Sequence, residues 1–246
     1  MTKIIGISGR KQSGKSTTAN YINGDILLQR EMVKNFYIDA GGELIIETSL
    51  QNGTTGYGVF DLNRKDAQFV DYAEKELWPF VKLYHFADAL KSIATDLFDI
   101  APMMVYGTDD DKNSLTHYQW ENMPTDTGNT GRMTAREFLQ YFGTTLVRTI
   151  NNDAWVNATI NKIQNEGSAI AVVPDVRFPN EVKAIKQAGG VVVRMERDPF
   201  NDSHPCESAL DKDKFDWDEF DIIVPNTVAT IADLCDELSK HTSIWR

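Results

Sequence analysis

Residues Gly9-Arg10-Lys11-Gln12-Ser13-Gly14-Lys15-Ser16 match the pattern G-x-x-x-x-G-K-[S/T]. The spacing has a physical meaning. Glycines let the backbone curl until successive N–H groups converge on one point, and a helix that starts there adds the positive end of its dipole. Such a cradle suits a nucleoside triphosphate. Lys15 would reach the β- and γ-phosphates, and the Ser16 hydroxyl would help hold Mg²⁺. The flanks agree with the motif. An apolar run over 3–8 reads as a buried strand, and 16–29 reads as a helix, although Gly24 counts against it.

Arg10 and Lys11 make the loop unusually basic. A cation there serves an enzyme that brings two phosphorylated molecules together; a solvated loop charge is the plain alternative. A second acid-bearing run is Ala169-Ile170-Ala171-Val172-Val173-Pro174-Asp175. It has the form of a strand whose terminal carboxylate orients Mg²⁺ or a reacting group, and Asp175 as a helix cap is the competing reading. Arg177 and Arg148 are available to neutralise phosphate charge. A regulatory GTPase is disfavoured. Asp175 is followed by Val-Arg-Phe, and Asn161-Lys162-Ile163-Gln164 lacks the closing acid of N-K-x-D.

These residues need a frame that places them at one end of a sheet. Strand-like runs at 81–86, 169–173, 190–195 and 222–224 alternate with helical patterns at 87–98, 134–151, 154–165, 179–188 and 230–240. Alternation of this kind predicts an α/β fold, a parallel sheet with helices on both faces, and ligands beyond the carboxyl ends of the strands. Thr134 with Glu137 forms a capping box. One domain over 1–246 is expected. Residues 30–78 read as an insertion containing a β-hairpin, with strands at 43–48 and 58–62 and a helix at 66–78. The polar stretch 102–132 reads as a long mobile lid or substrate loop.

The 246 residues are 41% hydrophobic and 25% charged, an ordinary globular balance. The net charge of −11 argues against a nucleic-acid polymer as partner. No apolar run approaches the roughly 20 residues of a membrane span, and no signal peptide is legible. Cys206 and Cys235 are too few and too far apart for a disulfide framework or a metal site. A soluble protein of a reducing, cytoplasmic compartment is expected. The acidic run 211–221 reads as a solvated face.

Several further segments share a pattern with the loop: Phe86-Ala87-Asp88-Ala89-Leu90-Lys91; Met133-Thr134-Ala135-Arg136-Glu137-Phe138-Leu139-Gln140-Tyr141-Phe142-Gly143-Thr144; Asp153-Ala154-Trp155-Val156; Pro174-Asp175-Val176-Arg177-Phe178-Pro179-Asn180-Glu181; Asp202-Ser203-His204 with Glu207; and Asn226 before a helix. Together they resemble the phage deoxynucleoside monophosphate kinases, a branch of the P-loop kinases. The resemblance implies a P-loop NTPase-type three-layer fold. It implies transfer of the γ-phosphate of ATP, with Mg²⁺, to a deoxynucleoside monophosphate in the cytoplasm, of an infected host cell if the chain is phage-encoded. It assigns the donor to Ser13, Gly14, Lys15, Ser16, Thr17 and Asn226, and the metal to Ser16 and Asp175. It assigns the acceptor to Lys11, Arg136, Gly143, Thr144, Trp155, Asp175, Arg177 and Glu181, with Lys15, Asp175, Arg177 and Arg136 at the chemistry. The residue types agree. An acceptor phosphate needs cations, and Lys11, Lys91, Arg132, Arg136, Arg148 and Arg177 supply them; a base needs a flat partner, which Trp155 is. Trp155 as a core residue, Arg136 on an exposed helix face and Gly143 as a helix breaker are the rival readings. The insertion has no counterpart in the resemblance, and a homodimer built on its strands stays open. Competing functions are a kinase for dephospho-coenzyme A or phosphomevalonate, and a non-catalytic nucleotide switch.

Overall fold

The first apolar run becomes β1 (Lys3–Ser8), buried from Ile4 onward. A run that is apolar without alternation demands cover on both faces, and β1 has it. Ile5 and Ile7 pack in the cluster that holds Ile22 and Ile26 of α1 (Lys15–Gln29). On the other face, a Cβ at Gly6 would lie 2.6 Å from Ile185. The chain is described by a computed structural model over residues 2–49, 54–64, 66–125, 127–199, 205–225, 227 and 229–246.

After α1 come three short strands, β2 (Phe36–Ile38), β3 (Leu44–Ser49) and β4 (Thr55–Val59), paired antiparallel in that order. The expected hairpin is thus present and gains a third strand. Helix α2 (Ala67–Glu76) starts on Asp66, whose carboxylate accepts the Phe69 N–H at 3.0 Å. Strand β5 (Val81–Leu83) closes this part of the chain.

The middle of the chain carries α3 (Asp88–Asp96), α4 (Pro102–Tyr106), α5 (Asp109–Lys112), β6 (Leu115–Gln119), β7 (Arg132–Thr134) and α6 (Ala135–Gln140). A π-helical segment, Tyr141–Val147, and α7 (Arg148–Ile150) follow, then α8 (Ala154–Glu166). The stretch 102–132, expected as an irregular connection, therefore holds two short helices and the antiparallel β6–β7 pair. Its polar sequence conceals caps: Thr108 and Asp111 form a reciprocal capping box at α5. The Phe98, Tyr118 and Phe138 rings pack together, with Phe98–Phe138 centroids 5.1 Å apart.

The last part carries β8 (Ile170–Val176), α9 (Pro179–Gln187), β9 (Val191–Met195), α10 (Pro205–Ser208), β10 (Ile222–Val224) and α11 (Ile231–Ser239). Five strands form one parallel sheet in the order β10-β9-β1-β8-β5. The architecture is the α/β fold with a parallel sheet that the alternation predicts, and it agrees with the P-loop type that the resemblance implies. Strand β8 runs past the expected end at Val173. Pro174 lacks a ladder N–H, and the β1–β8 register shifts between Gly6↔Val173 and Ser8↔Val176, so a bulge absorbs it.

The chain divides into two compact units, residues 1–85 with 160–246, and residues 86–159. The first holds the parallel sheet and the insertion. The second has its own core of Ala94, Ile100, Val105, Met133, Ala135, Phe138 and Tyr141. Among the described residues no helix is long and apolar enough to cross a membrane.

Candidate active site

The loop 9–14 leaves β1 and enters α1, as the motif requires. Gly14 sits at φ 100°, in the left-handed region where side chains are strained. A Cβ at Gly9 would lie 2.4 Å from Ser13 Oγ and 2.8 Å from Met195 Cβ, so no side chain fits. The turn is closed by Ser13 N–H donating to the Arg10 carbonyl at 3.2 Å. At the N-terminus of α1 no side chain caps the backbone, and the first turn contains no acid. The first N–H groups and the dipole of this 15-residue helix are therefore unopposed by any side chain, an arrangement that suits an anion. Ser13 Oγ is buried there with no hydrogen-bond partner among the described residues.

Lys15 Nζ donates to the carbonyls of Gly9 at 2.7 Å and Arg10 at 2.6 Å, which holds the ammonium inside the loop. Burial pushes its pKa down to about 8, and the charges of Arg177 and Arg194 push the same way, while Glu207 and Asp175 oppose them. Five groups from four parts of the chain, 15, 175–177, 194 and 207, thus act on one another. Arg177 is paired with Glu207 of α10. Arg194, 4% exposed on β9, donates to Ser8 Oγ at 3.0 Å and stands 4.9 Å from the Trp217 ring centroid. Burial lowers its pKa to about 10. Arg10 is held by Asp211 at 2.5 Å and Asp198 at 3.3 Å.

A cavity of about 340 Å³ opens beside the loop. Its lining divides by chemistry. Residues 12–17 form a polar end suited to phosphates, while Val224, Pro225, Ile231 and Leu234 form an apolar end suited to a flat base. Met195, Arg197 and Gly41 also border it.

The expected site residues fall into two groups. In the first unit, residues 13–17, Asp175 and Arg177 are brought together around Lys15, with Ser16 and Lys11 exposed. Glu181, 2% exposed, accepts the N–H groups of Arg177 at 2.7 Å and Phe178 at 3.0 Å, so it fixes the backbone that carries Arg177. Asn226, with Asp202, Ser203 and His204, lies outside the described residues.

The remaining residues belong to the second unit. Arg132 donates to the carbonyls of Thr116 at 2.6 Å and Leu115 at 3.3 Å. Arg136 reaches Asn113 at 3.0 Å and Asp109 at 2.7 Å, and Arg148 donates to the Asn152 carbonyl at 3.3 Å. Lys91 Nζ stands 5.2 Å from the Tyr106 ring centroid. Trp155 is buried, and its indole N–H donates to the Gly143 carbonyl at 2.9 Å within the π-helical segment. Gly143 is also where α3 comes close, since a Cβ there would lie 2.7 Å from Leu90. Thr144 is exposed next to it.

Three charged groups take a place beside the loop that their sequence context leaves open: Arg194, which reads as a lid or strand-end charge and is instead buried within β9, Glu207, which the resemblance includes without a role, and Asp211. Arg194 stands inside the run Val191-Val192-Val193-Arg194-Met195, and a charge in a buried strand is the signal that points to it. The acidic run 211–221, expected as a solvated face, is in part structural. Asp211 holds Arg10, and Asp221 accepts the Val192 N–H at 2.7 Å and pairs with Lys186 at 2.6 Å.

The chain is similar to known proteins over most of its length. The family model described as deoxynucleotide monophosphate kinase matches residues 3–237. The deoxynucleotide monophosphate kinase of Enterobacteria phage T4 is 27% identical over 218 residues, which is 85% of this chain and 88% of that one. A protein of Acanthamoeba polyphaga mimivirus, carrying a provisional form of the same name, is 29% identical over 155 residues, 57% of this chain and 72% of its own. The match runs through the parallel sheet, the loop 9–14 and the second unit alike, and the chain belongs to the deoxynucleotide monophosphate kinase family.

Proposed function

We propose that this protein transfers the γ-phosphate of ATP to a deoxynucleoside monophosphate, giving ADP and a deoxynucleoside diphosphate. The observation that carries the reading is the field around Lys15. Its ammonium, Arg177, Arg194 and the open N-terminus of α1 concentrate positive charge at one end of the parallel sheet of an acidic protein. Phosphoryl transfer asks mainly for positioning and neutralisation of charge. The acceptor oxygen is already ionised, so no strong general base is required.

In this reading the donor phosphates replace the Gly9 and Arg10 carbonyls as partners of Lys15. Ser13, Gly14, Ser16 and Thr17 hold them through N–H and hydroxyl groups, and Asn226 is a further ATP-binding residue. Ser16 and Asp175 fit Mg²⁺, a hard cation that takes one or two protein oxygens and fills its shell with phosphates and water. Bound there, Mg²⁺ would neutralise charge on the β- and γ-phosphates. Arg177 balances the transferred group, and Lys11 stands at the loop to steer the acceptor. Lys91, Arg132, Arg136 and Arg148 supply acceptor cations, and Gly143, Thr144 and Trp155 shape the base subsite, with Trp155 fixing the Gly143 carbonyl rather than lying open. Glu181 acts by holding Arg177 in place. The stretch 102–132 covers the acceptor. The protein works in the cytoplasm, and the insertion is free to serve a homodimer.

The test is ADP release measured over a panel of deoxynucleoside and ribonucleoside monophosphates, with dephospho-coenzyme A and phosphomevalonate as rival acceptors. ATP is exchanged for other triphosphates in a second series. Turnover with a deoxynucleoside monophosphate and ATP is expected. Turnover with none of the monophosphates overturns the proposal.

A further inference from the structure

The insertion is attached to the phosphate-binding helix at two points. Midway along α1, Gly24 lets the insertion sheet approach: a Cβ there would lie 2.4 Å from the Phe36 ring and 2.8 Å from Leu44. Nearer the loop, the turn between β2 and β3 meets the helix again. Asn20 Nδ2 donates to the Gly42 carbonyl at 2.8 Å. Gly42 has φ 85°, and a Cβ there would lie 2.4 Å from Thr17 Oγ1. The turn is itself stiff. Asp39 Oδ1 accepts the N–H groups of Gly41 at 2.8 Å and Glu43 at 2.9 Å, and the Gly42 N–H donates to the Asp39 carbonyl at 3.0 Å.

This anchoring sets Gly41 in the wall of the cavity beside the loop, together with Ser16 and Thr17. Gly41 is exposed, its φ lies outside the left-handed region, and a Cβ on it would meet only Asp39, at 3.3 Å. A side chain at position 41 is therefore compatible with the fold. By its company it belongs to the polar end of the cavity and not to the apolar end around Ile231 and Leu234.

We propose that the turn 39–43 is a wall of the donor site, set against the phosphate and sugar end of the nucleoside triphosphate, so that the insertion helps to position the donor. This rests on the donor assignment made above. The turn meets the cavity through Gly41, which brings no side chain, while the Asp39 carboxylate is engaged by the N–H groups of Gly41 and Glu43. Asn20 is a positioning residue, which holds the turn against α1.

The experiment uses the full chain and measures binding of ATP and GTP by calorimetry, with steady-state kinetics alongside. Gly41→Glu places a negative charge near the triphosphate and is expected to weaken binding of both nucleotides by about tenfold, through charge repulsion in a partly screened site. Gly41→Lys is expected to leave binding equal or tighter. KM for the monophosphate should stay within about twofold in both, and the melting temperature should not move. Asn20→Ala, which frees the turn without adding charge, is expected to raise KM for ATP with kcat little changed; a purely structural role would lower the melting temperature and leave KM alone. Wild-type affinity in both Gly41 variants, or an effect that follows the base and not the charge, overturns the proposal. If the wild type binds ATP yet phosphorylates no monophosphate, the proposed function falls and the Gly41 variants still decide this inference. If the wild type binds no triphosphate, both fall.

Discussion

Arg177 donates to one oxygen of the Glu207 carboxylate, while the other oxygen, Oε2, is buried without a hydrogen-bond partner among the described residues. The Glu207 side chain is only 7% exposed. A carboxylate so enclosed is less screened by solvent than a surface one, so its charge is felt by its neighbours. Lys15 is one of them, and Glu207 raises its pKa against the depressing effects of burial and Arg177.

Glu207→Gln keeps the shape and a hydrogen-bond acceptor for Arg177 but removes the charge. The pKa of Lys15 should then fall further below about 8. Binding of a triphosphate needs the ammonium form, so the alkaline limb of kcat/KM for ATP should move to lower pH. A pH profile of both proteins reads this directly. An unmoved limb would show that Glu207 does not act through Lys15.

Lys15→Met separates stability from function. Burial, then Arg177, holds the folded-state pKa at about 8, below the roughly 10.4 of an unfolded chain. Between those values the unfolded chain binds more protons, so the contribution of this group to stability rises with pH through that window. Below about pH 8 its full unfavourable effect is present. Removing the charge at pH 7 should therefore stabilise the protein by on the order of 1–3 kcal/mol. The advantage over wild type should shrink as the pH rises from 8 to 10. Turnover should fall by about 10²–10³-fold or more, as for loss of one principal charge stabiliser. Urea denaturation at several pH values, with activity measured in parallel, checks both statements.

Asp211 stands between two guanidinium groups, 2.5 Å from Arg10 and 3.8 Å from Arg194. Asp211→Ala would leave them facing each other in a partly enclosed site. Asp198 still faces Arg10 at 3.3 Å, so the expected loss is about 1–3 kcal/mol, most of it from the buried Arg194 and the like charges left together. Arg10→Met added to Asp211→Ala should recover part of that loss. A double-mutant cycle measures the coupling, and simple additivity would refute the pairing as an energetic unit.

The parts legible from sequence are those whose physics is local. The loop 9–16 is contiguous, and its glycines, lysine and flanking strand and helix all lie within one short stretch. Capping boxes such as Thr134 with Glu137 are equally local, and the structure contains that box. The charged network is not local. Arg10 and Asp211 are 201 residues apart, and Ser8 and Arg194 are 186 apart and meet because β1 pairs with β9, which sets them opposite each other. Short elements also escape. Phe36–Ile38 is too brief to show alternation, and α5 is one turn long. Trp155 could be read either as a stacking platform or as core, because its burial depends on how the π-helical segment presents the Gly143 carbonyl.

Gly24 shows how a residue that argues against a helix locally is required by packing. Ala would raise intrinsic helix propensity by roughly 1 kcal/mol. Against that, its Cβ would lie 2.4 Å and 2.7 Å from two atoms of the Phe36 ring and 2.8 Å from Leu44. The Phe36 ring also packs edge-on against Tyr21 of the same helix, with centroids 5.7 Å apart, and Leu44 is fully buried, so neither neighbour of residue 24 is a free side-chain end. Overpacking of this kind costs about 1–3 kcal/mol, and the net effect of Gly24→Ala should be destabilisation of about 1 kcal/mol. The same sheet carries the turn that meets Asn20 and Thr17. Gly24→Ala should therefore also raise KM for ATP, although residue 24 lies in the second half of α1 and does not border the cavity. Phe36→Leu combined with Gly24→Ala removes the crowding ring and should restore both the stability and the KM. Recovery of stability without recovery of KM would show that the insertion sheet and the donor site are not mechanically joined.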